Sequence, residues 1–242
     1  MDDDEVEFEL ETVEVGPYTF EVTTVAHLPI EKLMVNHAKG VEISGQKVWC
    51  GSLSVAQYLL MHPHLTTDRV VVELGAGTGV LGMLCRKLGC SRVALTDNDP
   101  QSLLHMQSDC PRNFVDVDVV ALDWFHPDVD SLGLTDALST PAAQLLVVAG
   151  DVLYKHALVA PFFTTARHLL QLKGGSRMLL CHVPRAGVEQ EMVVAAAVEH
   201  GLCIAPVHDN DAAAKNDENL RYCPEEDISR SQLYSITLSE ER

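Results

Sequence analysis

The chain has 242 residues, enough for one large α/β domain with small additions, and 47% of them are hydrophobic, which supplies a substantial core. Its 17 Lys and Arg stand against 35 Asp and Glu, and the resulting net charge of −18 repels polyphosphate, argues against nucleic acid as substrate and favours a partner with a basic surface. No apolar run approaches the roughly 20 residues of a membrane span, so no membrane partner is expected.

The acidic opening Met1-Asp2-Asp3-Asp4-Glu5 has neither the positive charge nor the apolar stretch of a secretory signal or transit peptide. A cytoplasmic location is expected, with the nucleus as the other choice. The seven cysteines are scattered, odd in number and free of any Cys-x-x-Cys pair, so they read as reduced thiols, and no metal site is expected.

Val6 to Glu11 alternates strictly, Val13-Glu14-Val15 resumes one residue out of phase, and Tyr18 to Val22 alternates again after Gly16-Pro17. This predicts a hairpin, with residues 1–40 forming an N-terminal β-hairpin extension. The phase slip at Thr12-Val13 predicts a bulge that keeps Val6, Phe8, Leu10, Val13 and Val15 on one face and the glutamates in water. From Cys50 the spacing becomes helical, with Ser52 or Ser54 as cap, Leu53, Ala56, Leu59 and Leu60 as buried stripe, and Pro63 beyond its end. Trp49, just before this helix, suits either a core anchor or a ligand wall.

Val70 to Leu74 is a β-branched, apolar run broken only by Glu73, and Gly75-Ala76-Gly77-Thr78-Gly79 follows at once. It reads as a strand buried on both faces, then a turn whose glycines let backbone approach a ligand. A helix over 80–88, a strand over 92–96 ending at Asp97, a helix over 100–108 and a strand over 115–122 ending in Asp123-Trp124-Phe125 come next. Residues 126–143 are rich in turn formers and predict a surface connection. Leu145 to Ala149 is a further strand, ending at Gly150-Asp151-Val152-Leu153-Tyr154. Helices over 158–172 and 189–200 flank a strand over 178–181. A strand begins at Leu202, 209–227 reads as a polar loop, and Gln232 to Leu238 alternates as a last strand. The series predicts an α/β fold, a Rossmann-like doubly wound sheet of seven strands with the seventh in a final hairpin.

Gly77 to Gly82 satisfies the dinucleotide pattern, but the glycine directly after the strand is Gly75. The form acidic-x-Gly-x-Gly-x-Gly, Glu73 to Gly79, resembles motif I of S-adenosylmethionine methyltransferases, and this cofactor is favoured over NAD. Asp97, at 97 − 77 = 20 residues after Gly77, is placed to bind ribose hydroxyls in either class.

Three separated signatures agree: Val48-Trp49 before a helix, Glu73 to Gly79, and Asp151-Val152-Leu153-Tyr154 after the fourth strand of the core. Together they resemble the seven-strand protein-lysine methyltransferases of methyltransferase family 16, over approximately residues 40 to 240. The resemblance implies a class I methyltransferase domain over 41–242 that uses S-adenosylmethionine to methylate a lysine of a protein substrate. It implies that Trp49 borders the cofactor, Gly75, Ala76 and Gly77 supply close backbone, Glu73 lies toward the methionine moiety, Asp97 holds the ribose and Trp124 flanks adenine. Gly150 stands where the family often has alanine, a change expected to add flexibility, and Asp123 is either an adenine ligand or an exposed strand-end acid. Asp151 and Tyr154 are implied as the catalytic pair, the carboxylate orienting the incoming amine. A small-molecule N- or O-methyltransferase and a non-catalytic interaction protein are the alternatives.

Overall fold

The computed structural model describes residues 6–26, 43–207, 220 and 223–239. Strands β3 (Val70–Leu74), β4 (Arg92–Asp97), β5 (Asp118–Ala121), β6 (Leu145–Gly150), β7 (Arg177–His182), β8 (Leu202–Pro206) and β9 (Gln232–Leu238) form one sheet in the order β5-β4-β3-β6-β7-β9-β8. All pairs are parallel except those of β9, which runs antiparallel between β7 and β8. The seven-stranded doubly wound sheet with a final hairpin is therefore present. Every residue of β3 and β6 is buried, as strands covered on both faces require.

Helices α1 (Cys50–Met61), α2 (Val80–Lys87) and α3 (Pro100–Arg112) cover one face through Leu53, Leu59, Leu81, Leu84 and Met106. Helices α4 (His156–Gln171) and α5 (Gln190–Glu199) cover the other through Phe162, Phe163, Leu169 and Val193. After β3 the chain steps outward to β4 and β5, whereas after β6 it steps the opposite way to β7. The carboxyl ends of β3 and β6 are thus the topological switch point, where an open α/β sheet leaves a crevice for ligand.

Strands β1 (Phe8–Val15) and β2 (Tyr18–Val25) form a separate antiparallel pair, so the predicted hairpin exists, but its predicted bulge does not. Pairing runs without interruption from Phe8 opposite Val25 to Val15 opposite Tyr18. With a strict period of two, Phe8 and Leu10 face away from the buried Val13 and Val15 and remain exposed. The phase slip resolves into two half-strands that use opposite faces: Val13, Val15, Phe20 and Val22 join the core, while the Phe8 ring stands 4.7 Å from that of His105 on α3. The free edge of β2 is closed by α3, where Asp109 accepts from Thr23 N (2.7 Å) and Asn113 Oδ1 from Glu21 N (2.8 Å).

Two further expectations change. The surface connection 126–143 sends Leu132, Leu134 and Leu138 into the core. Within the predicted polar loop 209–227 a short helix α6 (Glu225–Arg230) begins, and residues 208–219 lie outside the described residues.

Candidate active site

The glycine loop is built from β3 outward. Leu74 ends the strand, and Gly75 and Gly77 take φ of +65° and +55°, the left-handed region that glycine enters without strain. Ala76 N donates to Thr96 O (2.9 Å) and Gly77 N to Asp97 Oδ2 (2.9 Å), which pins the loop to the end of β4. A Cβ on Gly77 would stand 2.8 Å from Gly45 O, and one on Gly75 would stand 2.9 Å from Val152 Cγ1 and 3.3 Å from the Trp124 ring. The loop is a bare-backbone cradle.

Above it opens a cavity of about 490 Å³, lined by Trp49, Gly75, Ala76, Gly77, Asp97, Asp123, Trp124, Gly150, Asp151 and Tyr154, together with Ser44, Gly45, Lys47 and Lys155. Ten residues singled out from the sequence therefore meet around one cavity. Glu73 does not. Its side chain is buried away from the cavity, and its Oε2 accepts from Gly82 N (2.7 Å) in the first turn of α2. Burial pushes its carboxyl up to about 8, against the Gly82 hydrogen bond and with help from Asp97. Its place is the joint between β3 and α2, so it shapes the loop without lining the cavity.

Asp97 is moved upward by burial, while three backbone N–H groups oppose the shift. Besides Gly77, its Oδ1 accepts from Asn98 N (2.8 Å) and Asp99 N (3.0 Å), an arrangement that fixes the carboxylate at the strand end. Asp123 Oδ1 accepts from Phe125 N (2.9 Å), and the turn so formed carries Trp124, whose ring meets Phe162 edge to face at 5.1 Å.

Gly150 lines the cavity, but the flexibility expected of it is not what its packing shows. A Cβ there would lie 2.3 Å from Ser52 N, so the residue permits close contact with α1 and is not there for flexibility. Neither Ser52 nor Ser54 caps α1: the cap position is Trp49, without a side-chain bond, and Ser52 Oγ instead donates to Gly150 O (3.4 Å).

Trp49 Nε1 donates to Ser44 O (2.7 Å), and Ser44 Oγ donates to Tyr154 OH (3.0 Å). The Ser44–Gln46 turn is further anchored by Gln46 Nε2, which donates to Asp99 Oδ2 and Ser102 Oγ, each at 2.8 Å. This turn forms one side of the cavity and had no periodic or motif signal in the sequence.

Asp151 follows β6 with φ of +59°, an uncommon conformation for a residue with a side chain, and its N donates to Cys181 O (2.9 Å). Its carboxylate is forked by Arg185: Nη2 to Oδ2 is 2.8 Å, and Nε reaches Oδ1 at 3.1 Å and Oδ2 at 3.2 Å. The same Nη2 donates to Asp227 Oδ2 (2.8 Å) in α6, and the guanidinium carbon lies 5.0 Å from the centre of the Trp49 ring. Burial pushes the Asp151 carboxyl up, and Arg185 pulls it down. Burial alone would lower the Arg185 guanidinium, but Asp151 and Asp227 raise it, so it stays charged. Sequence reading missed Arg185 and Asp227; an arginine just past a strand's carboxyl end was the available clue.

Comparison with known proteins agrees with this architecture. The family model described as lysine methyltransferase matches residues 29–196. A protein-lysine N-methyltransferase, EFM3 of Chaetomium thermophilum, is 27% identical over 67% of this chain and 49% of its own length. The histone-arginine methyltransferase METTL23 of Xenopus laevis is 32% identical over 52% of each chain. This chain thus spans about half the length of these curated relatives. Among solved structures, the 16S rRNA methyltransferase RsmC of T. Thermophilus in complex with AdoMet and guanosine superposes with a TM-score of 0.57 at 17% identity, covering 98% of this chain and 51% of that one. A TehB-like SAM-dependent methyltransferase of Corynebacterium glutamicum gives 0.53 at 14% identity, covering 87% and 96%. These two likenesses concern the fold. The match over residues 29–196, on the sheet and glycine cradle described above, makes the chain a member of the lysine methyltransferase family.

Proposed function

We propose that the chain is an S-adenosylmethionine-dependent N-methyltransferase acting on a lysine side chain of a protein. The observation that carries this reading is the meeting, at one switch point, of the bare-backbone cradle Gly75–Gly77 with Asp151 and Tyr154 from the end of β6. The cradle fits the cofactor because a Cβ at either glycine would crowd its walls. Gly75, Ala76 and Gly77 would hold it by main chain, Asp97 by the ribose hydroxyls, Trp124 beside adenine and Trp49 at the border of the site. When bound, the cofactor supplies an electrophilic methyl group on a sulfonium centre.

The residues of this chain would align the acceptor and leave it uncharged. Free lysine has a pKa of about 10.4, so desolvation in the cavity must favour the neutral amine before it can attack. Asp151, at the wall, accepts a hydrogen bond from that amine and orients its lone pair. Tyr154, tethered by Ser44, forms the rim. Such alignment accounts for roughly 7 kcal/mol or more of barrier reduction in well-oriented systems.

The strongly acidic chain favours a protein substrate with a basic surface over nucleic acid. The test is transfer from isotopically labelled S-adenosylmethionine into a cell extract, followed by gel separation and mass spectrometry of the labelled band. A methylated lysine supports the reading. A labelled small molecule, or label on arginine as the name of the METTL23 relative would suggest, redirects it, and no label with any extract overturns it.

A further inference from the structure

Arg185 belongs to no motif, yet it is built into the wall behind Asp151. The chain leaves β7 through Val183-Pro184 and turns at Ala186 and Gly187, with φ of +48° and +82°, so that Arg185 and Val188 pair as an antiparallel bridge. Val188 N donates to Arg185 O (2.9 Å), and the Val188 carbonyl is engaged by His182 Nε2 (2.9 Å). The arginine is therefore presented from a short, doubly anchored turn. Its side chain is 22% exposed, that of Asp151 2% and that of Asp227 17%. Asp151 lines the cavity whereas Arg185 is not among its lining residues, so the cavity meets this ion pair through Asp151.

We propose that Arg185 is a positioning residue for the transfer: clamped between Asp151 and Asp227 and laid on Trp49, it fixes the Asp151 carboxylate and offsets much of its charge, so that the acceptor amine meets an oriented hydrogen-bond acceptor with a weakened anionic field. This rests on the methyl-transfer reading and deepens it.

The chemistry follows from what an unpaired carboxylate would do. An opposite charge within about 4–6 Å stabilises the ammonium and raises its pKa, which would hold a lysine in the form that cannot attack. A paired carboxylate keeps its lone pairs and loses most of that field. A carboxylate offers about four acceptor directions, and the fork leaves capacity toward the cavity. The fork also fixes a plane, which a lysine ammonium cannot do. Asp227 gives the guanidinium a second anion, so the three-residue cluster carries one net negative charge shared between two carboxylates, of which Asp151 lines the cavity and Asp227 does not. The charged groups acting on Asp151 are Arg185 and Asp227; its carboxylate in turn acts on the thiols of Cys50, Cys181 and Cys223, while Lys47 and Lys155 share the cavity wall.

The test uses the full chain, labelled S-adenosylmethionine and total soluble cell extract as acceptor, with melting temperature and cofactor affinity measured on the same samples. Arg185→Gln is expected to bind the cofactor within about threefold of wild type, to lose at least about tenfold in transfer near neutral pH and to recover part of it as pH rises, the midpoint moving up by roughly one unit. Arg185→Lys restores the charge but not the fork and falls between. The double variant Asp151→Asn with Arg185→Gln is no slower than Asp151→Asn alone, because a residue acting through another adds nothing once that other is gone. Unchanged or faster transfer by Arg185→Gln overturns the proposal. So does a loss equal at every pH that tracks melting temperature and multiplies with that of Asp151→Asn. If Arg185→Gln does not fold, the pH midpoint and partial loss of Arg185→Lys decide in the same way. Failure of the wild type to label any extract is separately visible and overturns the methyl-transfer reading, and this inference with it.

Discussion

Gly51 and Gly150 meet backbone against backbone: a Cβ on Gly51 would stand 2.4 Å from Asp151 N and 2.9 Å from Gly150 C, and one on Gly150 would stand 2.5 Å from Gly51 C. The first turn of α1 is thereby seated on the end of β6, and Trp49 and Asp151 share the cavity because of it. Gly150→Ala is expected to force these segments apart, costing roughly 1–3 kcal/mol as overpacking does, and to weaken cofactor binding through the displaced Trp49. Thermal melting and calorimetry check both. Wild-type stability and affinity in Gly150→Ala would show that α1 shifts freely.

Glu73 gives a pH signature. Its carboxyl rises from an ordinary 4.5 to about 8 in the fold, so between these values the unfolded chain ionises while the folded chain keeps its proton. The unfolded state then binds fewer protons, and stability falls as pH rises from about 4.5 to about 8, levelling off above, by on the order of a few kcal/mol. Glu73→Gln, which keeps an acceptor for Gly82 N, should flatten this slope in denaturant titrations run across that range. Identical slopes for the two proteins would place the ionisation elsewhere.

Asp97→Asn should weaken S-adenosylmethionine binding by roughly 1.5–3 kcal/mol, the usual worth of hydrogen bonds to a charged group. Its carboxylate also accepts from Gly77, Asn98 and Asp99 N, so a modest loss of melting temperature should accompany the loss of affinity. Titration of cofactor into the folded variant decides; undiminished affinity removes Asp97 from the binding site.

Asp151→Asn should reduce transfer far more than cofactor affinity, while retaining the shape that Arg185 packs against. Asp151→Ala should be the less stable variant, because it leaves Arg185 with only Asp227 as an ionic partner among the described residues; breaking a buried pair costs about 3–5 kcal/mol. Tyr154→Phe keeps the ring and loses the hydroxyl that accepts from Ser44 Oγ, so its defect should be smaller. Single-turnover transfer and melting curves on all three order these effects, and full transfer by Asp151→Asn would remove this carboxylate from acceptor positioning.

What the sequence by itself determined is the part of the molecule governed by local chemistry. Buried strands such as Val70–Leu74 and Leu145–Gly150 announce themselves as continuous apolar runs, and the glycines at 75 and 77 mark a turn that only they enter cheaply. The alternation of such strands with helices constrains the topology, and the topology brings Glu73 to Gly79 near Asp151 to Tyr154. Local pattern could not decide which way a side chain turns at a strand end. Glu73 has the spacing of a ligand residue, yet its carboxylate meets Gly82 N. Nor could it settle the hairpin, where a break in alternation reads as a bulge until packing shows Phe8 on α3 and Val13 in the core. The contacts that tune the site belong to tertiary structure alone. Arg185 reaches Asp151 across 34 residues and Asp227 across 42, and Gly45 lies against Gly77, because the switch of strand order makes distant strand ends adjacent. Hydrophobic periodicity specifies which face of an element is buried; it carries no information about which charge waits at the far end of the neighbouring strand.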